Sequence, residues 1–186
     1  MTSAEREKLL KHLEESRERL LHVAKNLSRE QLHYRPAADR WTVAECLEHI
    51  VTVEGRVLSI IQMTLEAGPD SGKRSAMEGQ DDALVAGAVA RLVRFQAPVI
   101  LVPTGRWPDD QLLTEFEGVR QKSREFAGTT NADLRRHFYK HPALGELDLY
   151  QWVLLVAAHC DRHRVQSEEV MASPGFPRAQ QANAPA

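Results

Sequence analysis

The chain has 186 residues, 42% hydrophobic and 27% charged, which suits one soluble domain with a packed core that needs no disulfides. Its formal net charge of −2 offers no basic field, so binding to a nucleic-acid backbone is not expected. The longest apolar runs, such as WVLLVAA (152–158), fall far short of the roughly 20 residues that span a bilayer, so no membrane segment is expected either.

The opening MTSAEREKLLKHLEE is charged and amphipathic, without the apolar h-region of a signal peptide. Leu9, Leu10, Leu13, Leu20, Leu21, Ala24 and Leu27 recur at helical spacing and predict a helix over about 3–27. The polar, proline-containing SREQLHYRPAADR interrupts it. Thr42 with Glu45 three residues on reads as a capping box, opening a second helix to about Ala67. GPDSGKRSAMEGQDD has no period and reads as a loop. Asp82 is placed to cap a third helical piece, ALVAGAVARLVRF, which Pro98 ends.

APVILVPTGRWP is β-branched, bracketed by prolines and too short for a helix, so it reads as a packed extended connection. Asp109 or Asp110 starts the next helix, closing at Gly128. TTNADLRRHFYKHPALGEL carries turn signals and room for one short helical turn. Asp148 with Gln151 reads as a further capping box, opening a long final helix. Residues 1–172 therefore form one all-α domain, with four segments long enough for a bundle, and 173–186 form a loose tail. Two cysteines, Cys46 and Cys160, make no framework and no CxxC, which fits a reducing cytoplasm.

The final helix contains AAHCDRHRVQ, with His159 and His163 four apart. With eight histidines, chance alone gives roughly a third of a pair at any one spacing, so the pair carries little by itself. His137 and His141 show the same spacing, but Pro142 disfavours a helix there. His159 and His163 share one helix face with Trp152, Leu155, Val156 and Val170, so they interrupt an apolar stripe. Buried imidazoles need partners: a metal ion would satisfy both, and so would separate hydrogen bonds or a place at the bundle rim. His49, in the second turn of its own helix beside Leu47 and Ile50, could complete a three-ligand site with coordination positions left open.

WTVAECLEHI, and the later HPALGELDLYQWVLLVAAHCDRHRVQ with its HP, glycine, QW and H-x-x-x-H, together resemble the DinB/YfiT-like superfamily. The likeness runs from about residue 5 to 172, and APVILVPTGRWP looks like that family's mid-chain connection. The resemblance implies an all-α four-helix bundle of DinB/YfiT type with a short extra helix and long connections, ordered up-down-down-up. It implies a divalent metal, zinc or nickel, held by His49, His159 and His163. It also implies thiol-dependent transfer or isomerisation with a low-molecular-weight thiol, on a small-molecule substrate. Metal-dependent hydrolysis and a non-catalytic metal-binding bundle are the alternatives, and a homodimer stays open.

Three neutral imidazoles would leave an ion its full charge and make it a strong Lewis acid. HCDRH lacks the glutamate of H-E-x-x-H proteases, and Asp161 falls on the opposite helix face. Glu45 reads as the cap of its helix, with orientation of His49 as the alternative role. Gln166 reads as a solvated polar residue that could reach substrate, and Arg162 and Arg164 as surface charges. Cys46 and Cys160 read as small packed residues, His141 as part of the turn before the last helix, and Trp41, Trp107 and Trp152 as packing anchors.

Overall fold

The computed structural model describes residues 1–91 and 96–178. In chain order these form α1 (Ser3–Ala24), α2 (Arg29–His33), α3 (Val43–Ala67), α4 (Asp81–Val89), α5 (Asp109–Thr129), a hairpin of β1 (Phe138–His141) and β2 (Gly145–Asp148), and α6 (Leu149–Met171). Single 3₁₀ turns lie at Val99–Leu101 and Leu134–Arg136.

Helix starts follow side-chain chemistry. Thr2, Ser28 and Thr42 each accept the backbone N–H three residues on, and Glu5, Gln31 and Glu45 each accept the cap residue's own N–H in return. Asp148 caps α6 by accepting the Gln151 N–H, but the reciprocal bond is absent. The Gln151 amide is spent on the Ser75 hydroxyl, the Met77 carbonyl and Asp81 instead. Helix α4 begins at Asp81 behind Gln80, not behind Asp82 as expected, and no side chain caps it. Of the longer helix expected there, Leu92, Val93, Arg94 and Phe95 lie outside the described residues, as does the end of the tail from residue 179.

The four long helices pack in a ring in which α1 and α3 are diagonal, each flanked by α5 and α6. Arg6 at the start of α1 donates to the carbonyls of Ala127 and Thr130 at the end of α5, so these neighbours run antiparallel. Arg40, just before α3, pairs with Glu169 near the end of α6, so they too are antiparallel. Glu5 in the first turn of α1 and Asp148 at the cap of α6 share Arg135, which makes α1 and α6 parallel. The order is up-down-down-up, as the sequence resemblance implied.

Leu9, Leu13, Leu20, Leu47, Ile50, Ile61, Phe116 and Leu154 make the core and are essentially solvent-free. Each such aliphatic or aromatic side chain contributes about 1.5–3 kcal/mol by leaving water. Arg120 and Glu54 sit inside that core, 0% and 2% exposed. Their two parallel hydrogen bonds of 2.9 Å join α5 to α3, and Arg120 Nη1 reaches the Leu13 carbonyl and Ser16 hydroxyl of α1.

Three connections differ from the sequence expectation. SREQLHYRPAADR contains the short helix α2 behind its own capping box. Segment 129–148 holds a hairpin as well as the expected turn, with Phe138 opposite Asp148 and His141 opposite Gly145. Gly145 adopts φ +78°, a conformation that favours glycine at this reversal. The connection 96–107 is not packed throughout: Val99 and Ile100 are 89% and 71% exposed around the 3₁₀ turn.

Candidate metal centre

Because Thr42 starts α3, His49 falls in its second turn and faces α6. There the i,i+4 spacing stacks His159 and His163 on one side. One ring nitrogen from each of the three lies within 4.8 Å of the other two. The Nε2 atoms of His159 and His163 are 3.1 Å apart. His49 and His163 are buried, while His159 is the most open of the three.

Each buried ring has a partner that settles its proton. His49 Nδ1 donates to the Leu101 carbonyl at 2.7 Å; a carbonyl only accepts, so the proton is on Nδ1 and Nε2 keeps its lone pair. His163 Nδ1 lies 3.0 Å from Gln166 Oε1, and Arg91 Nη1 donates to the same oxygen at 2.9 Å. The Nε2 of His163 is then also unprotonated in the neutral ring. Burial lowers the pKa of all three histidines, and it takes His159 and His163 well below the ordinary value. The other imidazoles and Arg162 push those two further in the same direction. Neutral imidazole is the form that ligates a metal.

The donor set fits a divalent ion. Three nitrogens held tetrahedrally at ordinary zinc distances are roughly 3.3 Å apart, close to the His159–His163 separation. Trp41 walls the cluster, its ring centroid 4.7 Å from His49 and 5.8 Å from His163, nearly parallel to the latter. It therefore does more than anchor packing.

The remaining candidates go elsewhere. Glu45 completes the α3 capping box and pairs with Arg35 at 2.6 Å. Asp161 is bound to Arg19 and Arg164, away from the cluster. Gln166 is no solvated bystander, since it fixes the His163 proton. Arg162 and Arg164 are half-buried rather than surface charges: Arg162 donates to the Ala88 carbonyl and Arg164 to Asp161 and Glu168.

Cys46 and Cys160 are fully buried, and burial pushes their thiols up to about 12 and about 11. His141 ends β1, lies tilted against Trp152 with ring centroids 5.2 Å apart, and accepts the Ala143 N–H. Burial lowers its pKa, and it stands outside the three-histidine group. A polar cleft of about 380 Å³ lies beside the start of α3, lined by His33, Arg35, Glu45, Glu48, Thr104 and Asp109 among others, but by none of the three histidines. Sequence reasoning missed Leu101, Trp41 and Arg91. A backbone carbonyl leaves no residue-type signal, and the other two acquire their positions only by packing.

Fold and site define a four-helix bundle with a cluster of three neutral histidines suited to a divalent metal. Residues 12–167 match the family described as the DinB superfamily, and the chain belongs to that superfamily. It is 24% identical over 148 residues to YuaE, an uncharacterized protein of Bacillus subtilis strain 168, covering 78% of this chain and 86% of YuaE. Among solved structures it is similar to YfiT from Bacillus subtilis, with TM-score 0.56 and 12% identity over 92% of this chain and 88% of that one. YfiT is described as a probable metal-dependent hydrolase with an unusual four-helix bundle topology. At this identity the likeness speaks for the fold alone.

Proposed function

We propose that this protein is a divalent-metal-dependent enzyme acting on a small-molecule substrate, with His49, His159 and His163 as the metal ligands. The observation that carries the proposal is the convergence of three neutral imidazoles whose other nitrogens are occupied at His49 and His163. When bound, a divalent ion supplies Lewis acidity, bringing the pKa of a water near 7 or removing the proton of a thiol outright.

The chain's own residues do the rest. Leu101 and Gln166 hold protons on the Nδ1 atoms and aim the lone pairs inward. Trp41 shields one side of the cluster, and His159 is the least covered of the three rings. Neither cysteine can be the nucleophile, because both are sealed in the core with raised pKa values. In this reading the nucleophile comes from solution.

Hydrolysis, with water as that nucleophile, is the leading reading, supported by the description of YfiT. Transfer to a low-molecular-weight thiol is the second. It is favoured by the commitment of the neighbouring carboxylates elsewhere: Glu45 to its cap, Glu48 to the 104–106 backbone and Asp161 to arginines. A thiolate needs no general base, whereas water ordinarily does. Zinc or nickel as the ion and the cytoplasm as the compartment belong to the same proposal.

Metal analysis of purified wild type should give about one equivalent of divalent ion, and His163→Ala should lose most of it. About one equivalent retained in that variant overturns the site. With the metal-loaded protein, turnover of an ester or amide panel supports hydrolysis. A new metal–sulfur distance of about 2.3 Å on adding thiol supports transfer. A metal that raises the unfolding temperature while neither assay responds leaves a purely structural ion.

A further inference from the structure

Glu48 precedes His49 on α3, and the residue is 3% exposed. It accepts the backbone N–H of Thr104 at 2.7 Å, the Thr104 hydroxyl at 3.2 Å, the Gly105 N–H at 2.8 Å and the Arg106 N–H at 3.3 Å. Three successive amides converge on one carboxylate because Gly105, at φ +74°, turns the chain in the left-handed region.

Three residues before this clamp, Leu101 offers its carbonyl to His49 Nδ1. Only Val102 and Pro103 lie between Leu101 and the clamp, and proline fixes its own φ. The backbone bonds within 98–102 close on the segment itself, from Leu101 to Pro98 and from Val102 to Val99, and Val99 and Ile100 are exposed. Adjacent residues of one helix thus grip the same connection, Glu48 by its turn and His49 by a carbonyl.

We propose that Glu48 is a positioning residue for His49. By holding Thr104–Arg106 it keeps the Leu101 carbonyl over the imidazole, which locks the proton on Nδ1 and turns Nε2 toward His159 and His163. The consequence for metal affinity rests on the three-histidine reading; the effect on the imidazole does not. Partners of this outer kind ordinarily change metal affinity by about 10–100-fold.

The test uses the full chain and two variants. Glu48→Gln replaces one accepting oxygen with an NH₂ that faces amide donors. A single glycine inserted between Val102 and Pro103 leaves every Glu48 bond available but uncouples the clamp from Leu101. Imidazole ¹⁵N spectra of the metal-free proteins report the His49 tautomer, competition titration reports zinc affinity, and circular dichroism confirms helicity.

Wild type should show the Nδ1–H form alone. Both variants, or the insertion alone should Glu48→Gln not fold, should show a tautomer mixture and about 10–100-fold weaker zinc binding. A wild-type tautomer in a folded variant, or wild-type affinity despite a lost tautomer, overturns the proposal. If wild type binds no zinc, the metal reading fails and the tautomer comparison alone decides the role of Glu48.

Discussion

The oxygen of Gln166 receives two donors, His163 Nδ1 and Arg91 Nη1, and so decides which nitrogen of His163 is free to ligate. Gln166→Leu should leave the fold intact and weaken metal binding by about tenfold, read by competition titration. Unchanged affinity would mean that packing alone holds the ring. Gln166 read as a solvated polar residue and its bond to the ring was hidden, but its place one turn beyond His163 was legible. The equivalent partner of His49 was not, since Leu101 lies 52 residues away and contributes only backbone. Trp41 likewise reads as a packing anchor until α6 is docked beside it.

Among the helices, the Arg120–Glu54 pair ties α5 to α3 and, through Leu13 and Ser16, to α1. Breaking it with Glu54→Leu leaves a guanidinium buried and uncompensated, which should cost about 3–5 kcal/mol in urea unfolding. The double variant Glu54→Leu with Arg120→Met should recover most of that loss, because desolvating two ions nearly cancels their attraction. Leu154→Ala, at a solvent-free position on α6, should cost about 2–5 kcal/mol through lost burial and a residual cavity. The four long helices were readable from period, and the Thr42 cap of α3 from its box, whereas the five-residue α2 and the uncapped start of α4 were not. The hairpin was not, because four-residue strands carry too little alternation to stand out against turn signals.

Across the molecule, Arg135 gathers Glu5 of α1, Asp81 of α4 and Asp148 at the cap of α6, and lies 3.9 Å over the Tyr150 ring. Burial raises the pKa of all three carboxyls. At Glu5 the Thr2 backbone N–H and Arg135 outweigh it, and at Asp81 Arg135 and Gln151 do, so both end lowered; at Asp148 burial wins. A carboxylate more acidic folded than unfolded stabilises the fold above its unfolded pKa, and that stability is lost as pH falls through the folded value. Asp148 acts in the opposite sense, its penalty easing as it protonates. The unfolding temperature should therefore drop as pH falls below about 4.5, where Glu5 and then Asp81 begin to lose their advantage, and Arg135→Met should start lower and show a smaller drop. A drop as large in the variant would place the acid sensitivity elsewhere.

Local sequence determined the four long helices, the capped starts of α3 and α6, and the presence of two histidines on one face of α6, because caps and periodicity act within about four residues. The third histidine and the family were legible through motifs resembling those of the DinB superfamily, to which the chain belongs. The same resemblance implied the up-down-down-up order and the meeting of His49 with His159 and His163; tertiary structure alone decided that a distant carbonyl, a clamped turn and a tryptophan complete their surroundings. Leu101 and His49 are 52 positions apart, and Thr104 and Glu48 are 56 apart. Their geometry arises only when helix faces dock, and no run of neighbouring residues encodes it.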